Sequence, residues 1–210
     1  MTPASPDAGA PVLPDGRRVA PSAERNAAPI LAVLQAHLPP QGRLIELAAG
    51  TGQHAAAFAA ALPGIDWQPT DLNPDNLTSI RAWAATVQAP NLRPPRVLDA
   101  ALPGWAGPAA WDAVLIVNLL HLIPDAAAAA VLDQAARALA PGGTLFLYGP
   151  FLRDGRATSP GDAAFDARLR AEGTGAGYKD LAWVLDRLAG LQLAVEPMPA
   201  NNLMIRARAD

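Results

Sequence analysis

The stretch from Arg43 to Leu62 constrains the fold of this chain more than any other. Arg43–Leu47 is a short apolar run that enters Ala-Ala-Gly-Thr-Gly, and the Ala-rich Gln53–Leu62 follows directly. An apolar run, a glycine turn and a run of helix formers, in that order, predict strand, tight turn and helix. The same alternation continues downstream. Ile65–Thr70 predicts a second strand ending at Asp71, and Asn73 through Val87 a helix with Leu77, Ile80, Trp83 and Ala84 on its inner face. Val97–Leu98 is a very short strand before Asp99. Ala113–Val117 is apolar throughout, as a central parallel strand should be. Pro124 through Ala140 predicts a helix, which Pro141-Gly142-Gly143 is expected to break before a fifth strand, Thr144–Tyr148. Ahead of these elements, Ser22 is expected to cap a first helix, with Glu24 in its first turn. Ile30, Leu31, Val33, Leu34 and Leu38 follow one face of it, and Pro39–Pro40 stops it.

Strands alternating with helices imply an α/β fold: a mostly parallel sheet with helices on both faces. The last third differs. Leu152–Ser159 predicts a polar loop, Ala163–Arg170 a short helix, and Leu181, Val184, Leu185 and Leu188 another helix face. Leu191–Val195 and Leu203–Ala207 fit a closing pair of strands. Residues 1–18, rich in Pro, Ala, Asp and Gly at their start, are expected to be a disordered tail, and 19–210 a single domain. The chain has no cysteine, which excludes disulfides, thiolate metal sites and a cysteine nucleophile. His37, His54 and His121 lie too far apart for a zinc-like spacing, so no metal is expected. Net charge is −3 and Lys179 is the only lysine, which argues against nucleic-acid partners. No apolar run approaches a membrane span, and the N-terminus lacks the pattern of a signal peptide. A soluble cytoplasmic protein is the default expectation.

In an open parallel sheet, ligands bind at the carboxyl ends of the strands. Glu46, Asp71, Asp99 and Asn118 stand at four such ends, each about one strand–helix unit from the last. Packing alone does not call for four polar groups along one edge of an apolar sheet. Gly50-Thr51-Gly52 supplies a turn that lets backbone approach a ligand, and it opens a helix whose free N–H groups favour an anion. Asp71 follows Gly50 at the distance expected of an acid that accepts hydrogen bonds from ribose hydroxyls. Gly50-x-Gly52-x-x-Ala55 also satisfies the dinucleotide fingerprint. Two features argue against NAD. Glu46 would face an anionic pyrophosphate there, whereas a ligand carrying an ammonium group gives it a partner. Asp99 followed by Ala100 suits the amine and face of an adenine.

These residues resemble the class I S-adenosylmethionine-dependent methyltransferases. The shared pattern is ELAAGTG (46–52), an acid at Asp71, Asp99–Ala100, and Pro-Gly-Gly at 141–143. A closer resemblance is to the DUF938 family, a methyltransferase-like family that includes methyltransferase-like protein 26. It rests on PSAERN (21–26), ELAAGTGQHAAAFA (46–59), WQPTDLNP (67–74), NLLHL (118–122), LYGPF (147–151), TSPGDAAFDARLR (158–170) and PMPANN (197–202). The resemblance implies a Rossmann-like fold, strand order 3-2-1-4-5-7-6 with an antiparallel seventh strand, and S-adenosylmethionine as cofactor. By position it places Glu46 at the methionine end, Gly50, Thr51 and Gly52 in the close turn, Asp71 with Leu72 at the ribose, Asp99 with Ala100 at the adenine, and Asn118 near the methionine moiety.

Such an enzyme transfers a methyl group to an acceptor, here expected to be a small molecule. His121, three residues after Asn118, is the candidate general base, with a loop-packing role as the alternative. Tyr148 either orients the acceptor or ends a core strand. His54 is expected at the cofactor or the neighbouring backbone, and His37 is expected to be structural. Arg25 and Asn26 are candidates for an N-terminal lid over the cofactor. Ser159, Phe165, Asp166, Asn201 and Asn202 lie in segments expected to shape the acceptor site, the two asparagines fitting a turn equally well. A non-catalytic cofactor-binding or protein-interaction module and an NAD-dependent oxidoreductase are the competing readings.

Overall fold

The computed structural model describes residues 10–107 and 110–210. They form a seven-stranded sheet in the order β3-β2-β1-β4-β5-β7-β6. The chain packs as two compact units, Met1–Asp99 with Trp111–Leu115, and Ala100–Ala110 with Ile116–Asp210, so the division passes through β4 (Trp111–Val117).

In the first unit, α1 (Pro21–His37) precedes β1 (Gly42–Leu47), α2 (Gln53–Ala61), β2 (Ile65–Asp71), α3 (Pro74–Ala84) and the two-residue β3 (Arg96–Val97). β1 pairs parallel with β2 from Gly42 opposite Ile65 to Glu46 opposite Pro69, and β2 pairs parallel with β3. Helix α1 starts two residues earlier than expected. Ala20 is its N-cap and Pro21 its first residue, so Ser22 caps nothing. Proline's fixed φ suits that first position, where its missing N–H would have had no helical partner. Asn73 does cap α3, accepting from the Asp75 N–H at 3.0 Å, with Pro74 again first in the helix. Leu44, Leu47, Phe58, Trp67 and Ile80 are fully buried, each contributing about 1.5–3 kcal/mol of burial.

Residues 1–9 of the expected tail lie outside the described residues. Residues 10–18, also expected as tail, are docked instead. Val12 bridges Arg18 antiparallel, and Arg18 is buried against α3 through Ser79 and Asn76.

In the second unit, a 3-10 turn (Leu120–Leu122) leads into α4 (Asp125–Ala138) and β5 (Leu139–Gly149). Helix α4 ends at Ala138, ahead of Pro141-Gly142-Gly143, but that tripeptide does not precede the strand as expected. It lies within β5, with Gly142 at φ +74, and antiparallel pairing with β7 begins only at Thr144. Helix α5 spans Pro160–Ala171, longer than expected, because Ser159 accepts from the Asp162 N–H at 3.1 Å and Pro160 sits in the first turn. α6 (Leu181–Arg187), β6 (Gln192–Pro197) and β7 (Leu203–Arg208) close the fold, β6 and β7 pairing antiparallel.

Candidate functional site

The carboxyl ends of β1 and β2 gather Glu46, Gly50, Thr51, Gly52, Asp71 and Leu72 within the first unit. After Leu47 the backbone turns sharply, with Ala48 at φ +52, Gly50 at +58 and Gly52 at +87. A left-handed alanine is strained, and such strain concentrates where a loop is held in shape for function. Gly52 is required for packing rather than for ligand approach alone. A Cβ there would lie 2.7 Å from the Ile80 Cα, so the turn sits directly on α3. Gly52 is also the N-cap of α2, and no side chain caps that start, which leaves first-turn N–H groups for an anion.

Asp71 holds this turn. Its Oδ2 accepts from the Gly50 N–H at 2.8 Å and its Oδ1 from the Asn73 N–H at 2.8 Å. Burial raises its pKa, and the hydrogen bonds from Asn73, Gly50, Asn76 and Leu72 oppose that. Leu72, next in sequence, is 46% exposed, unusual for so large an apolar side chain beside a buried acid. The Leu98 N–H donates to the Asp71 carbonyl at 3.1 Å, tying the chain just before half-buried Asp99 to the same point.

Glu46 already has a hydrogen-bond partner within the protein. It is buried, and its Oε2 accepts from the Trp67 indole N–H at 2.8 Å. Burial pushes its pKa up to about 8, with the Asp71 charge adding to the rise and the Trp67 hydrogen bond opposing it. At neutral pH it is therefore a carboxylic acid. A cation brought against it would draw the proton off. Thr70 completes this corner, its hydroxyl donating to the Glu46 carbonyl at 2.7 Å.

The candidates on α1 serve each other. His54 Nε2 lies 2.7 Å from Asn26 Oδ1 and 3.1 Å from the Ala23 carbonyl, so it carries the proton and donates to both. The ring stacks on Phe58 with centroids 5.0 Å apart, and burial lowers its pKa to about 4. His54 and Asn26 thus clamp α1 to α2, while Arg25 is exposed. Thr51 and Gln53 form a second tie. Gln53 Oε1 accepts from the Thr51 hydroxyl at 3.0 Å and from the Ala20 N–H at 2.6 Å.

The remaining candidates lie in the second unit. Asn118 has φ +55, and its N–H donates to the Tyr148 carbonyl at 2.9 Å. Tyr148 is buried in β5 opposite Met204. Ala100 is buried, and its carbonyl accepts from the Trp105 indole at 3.0 Å. His121 is buried in an aromatic trio, its ring centroid 5.9 Å from Phe165 and 5.7 Å from Tyr178. Burial, reinforced by the Lys179 charge, lowers its pKa to about 4, so it is neutral at pH 7 and a weak base.

The segments expected to shape an acceptor site do converge. Asp162 Oδ2 accepts from the hydroxyls of Thr158 and Ser159, each at 2.8 Å, and from Asn201 Nδ2 at 2.9 Å. Burial alone would raise the Asp162 pKa, but these hydrogen bonds outweigh it and hold the carboxyl below its ordinary value. Asp166 accepts from the Tyr178 N–H at 2.6 Å. Asn202 instead bonds the carbonyls of Pro199 and Ala200, so it serves the turn.

Sequence reasoning missed Trp67, Asp162, Tyr178 and Lys179 as members of these clusters. Lys179 is buried, donating to the Ile123 carbonyl at 2.8 Å and pairing with Asp125 at 2.7 Å. A lone lysine in an arginine-rich chain was the available signal. Among the described residues, no group of three or more His, Asp or Glu is placed to hold a metal ion, and no helix is long and apolar enough to cross a membrane.

The family model described as "Protein of unknown function (DUF938)" matches residues 17–208. The chain belongs to the DUF938 family. Several solved structures resemble this DUF938 chain. An O-methyltransferase family protein from Burkholderia thailandensis is 20% identical at a TM-score of 0.78, the match covering 90% of this chain and 57% of that one. Human N-acetylserotonin methyltransferase, solved in complex with SAM, is 16% identical at a TM-score of 0.72, covering 90% and 52%. A putative methyltransferase from Bacillus halodurans is 18% identical at a TM-score of 0.64, covering 85% and 97%. This DUF938 chain therefore has the Rossmann-like methyltransferase fold, and it spans just over half the length of the first two.

Proposed function

We propose that this chain binds S-adenosylmethionine and transfers its methyl group to a small-molecule acceptor. One observation carries the reading: a buried carboxyl, a left-handed glycine turn at an uncapped helix start, and a second acid with an exposed leucine beside it share the ends of β1 and β2.

Each part of that cofactor finds a fitting group. Its ammonium suits Glu46, a buried acid without a cationic partner among its hydrogen bonds. Its carboxylate suits the first turn of α2. The Asp71 carboxylate, held in place by hydrogen bonds from Gly50, Asn73, Asn76 and Leu72, suits a ribose hydroxyl. Leu72 offers an apolar face to the adenine, and Asp99 an acceptor for its amine. The binding of SAM in one structurally similar protein supports the choice.

When bound, the cofactor supplies an already activated methyl group on a sulfonium. The chain has to hold the acceptor in line with it and keep water away, which removes several kcal/mol of barrier, on the order of 7–11 at best. A histidine held near pKa 4 takes a proton from an alcohol poorly. His121 therefore serves mainly as a neutral wall of the aromatic trio, and catalysis rests on positioning. An acidic chain with one lysine supports a small acceptor over a polyanion.

The test is to incubate the protein with methyl-labelled S-adenosylmethionine and a panel of small phenols, amines and carboxylic acids. Label transfer with matching release of S-adenosylhomocysteine is the expected result. Tight binding of S-adenosylhomocysteine with no transfer to any acceptor would favour the non-catalytic binding module.

A further inference from the structure

The docked strap at residues 12–20 reaches both members of the glycine-turn assembly through one residue. Arg18 is buried. Its backbone N–H donates to Ser79 Oγ at 2.8 Å, and that hydroxyl donates to the Thr51 carbonyl, in the glycine turn, at 2.7 Å. Its guanidinium Nη1 donates to Asn76 Oδ1 at 3.0 Å. The Asn76 side chain donates in turn to the Asp71 carboxylate, which accepts from the Gly50 N–H at 2.8 Å. Ser79 is fully buried and Asn76 is 2% exposed, so neither link is shared with bulk water. The strap is itself anchored on α3 and α2. The Trp83 indole donates to the Arg18 carbonyl at 2.9 Å, and the Ala20 N–H to Gln53 Oε1, which also holds the Thr51 hydroxyl.

We propose that Arg18 is a positioning residue for the cofactor site, setting the glycine turn through Ser79 and the Asp71 carboxylate through Asn76. The assignment rests on the cofactor reading above, but the relay exists without a ligand. Helix α3 carries both intermediates three residues apart, so they lie on one helix face. The arginine guanidinium supplies the strap's donor to Asn76, beside the backbone links to Ser79 and Trp83. Asn76 can orient its amide toward Asp71 only while its oxygen has a donor on the other side. Loss of the guanidinium leaves that buried oxygen unpaired and frees the amide to turn, loosening Asp71 and the Gly50 N–H that it holds.

Two measurements test this. Amide hydrogen exchange of the ligand-free protein compares wild type, Arg18→Met and Arg18→Lys. Protection at Gly50 and Asn73 should fall about tenfold in Arg18→Met while Leu44 and Ile45 in β1 change little, and Arg18→Lys should restore most of it, since its ammonium can still donate to Asn76. Calorimetry with S-adenosylhomocysteine then compares Arg18→Met in the wild-type and Asn76→Ala backgrounds. Affinity should fall about tenfold in the first and less than twofold in the second, because the two residues act in series. Unchanged Gly50 protection, an equal loss throughout β1, or additive losses of affinity would overturn the relay. If Gly50 protection responds as expected but the wild type ignores S-adenosylhomocysteine, the cofactor reading fails and the relay stands.

Discussion

Replacing Glu46 by glutamine isolates the buried acid at the centre of the proposed site. Glutamine keeps an oxygen for the Trp67 indole N–H, now at 2.8 Å, and removes the titration. The Glu46 pKa is about 8 in the folded chain against 4.5 when exposed. Between those values the folded chain binds one more proton than the unfolded chain, so stability falls as pH rises. His54 and His121, both held at about 4, work in the opposite sense: they add stability as pH rises from about 4 to their exposed value of 6.5, then stop. The window from pH 6.5 to 8 therefore belongs to Glu46, and the comparison with the variant cancels Asp71, whose carboxyl is also raised. At 1.36 kcal/mol per unit, and with the folded group half ionised at the upper end, wild type should lose roughly 1.5 kcal/mol relative to Glu46→Gln across the window, the upper tails of the histidine titrations being common to both. Glu46→Gln should lose almost none. Urea unfolding followed by circular dichroism at pH 6.5, 7.25 and 8 measures both. Parallel curves for the two proteins, or a flat wild type, would refute the reasoning. Binding of a cationic ligand at pH 7 should release a proton from wild type alone, seen as a binding enthalpy that varies with the buffer's ionisation enthalpy.

Other consequences are open to measurement. Asp71→Ala should weaken S-adenosylhomocysteine binding by roughly 1–3 kcal/mol in a calorimetric titration, since it frees the Gly50 and Asn73 N–H groups along with the ribose hydroxyls. Gly52→Ala puts a Cβ 2.7 Å from the Ile80 Cα at φ +87 and should cost about 2–4 kcal/mol, read as a lowered melting temperature. Asn26→Ala should cost about 1 kcal/mol by removing the acceptor for His54, and the His54 ring should then show an altered tautomer balance by NMR. Lys179→Met removes the charge that helps depress His121, so the imidazole midpoint should move up from about 4 in an NMR titration. A midpoint that stayed put would leave burial as the sole cause.

Much of this was legible in the sequence because it depends on neighbours along the chain. The glycine turn announces itself by Gly50 and Gly52 between an apolar run and an alanine run, and the strand-end position of Asp71 follows from periodicity. The first helix was legible from its apolar face, although Ser22 drew the cap two positions too far because Ala20 has no capping side chain. What the sequence concealed depends on distant partners. Nothing local says that Trp67 donates a hydrogen bond to Glu46, or that Asn201 reaches Asp162 across 39 residues. Arg18 looked like part of a polar tail, since its binding surface is the far side of α3, 58 to 61 residues downstream. Pro141-Gly142-Gly143 carries a break signal, which α4 obeys by ending at Ala138, yet β5 already runs from Leu139 through the tripeptide.

The central claim is that the ends of β1 and β2 embrace an adenosine bearing an amino acid. Calorimetric titration of the protein at pH 7 with S-adenosylhomocysteine, and separately with NAD, tests it most directly. Saturable one-to-one binding of S-adenosylhomocysteine, weakened in Asp71→Ala, with no heat from NAD, is the result expected. Saturable NAD binding with no response to S-adenosylhomocysteine would contradict the account.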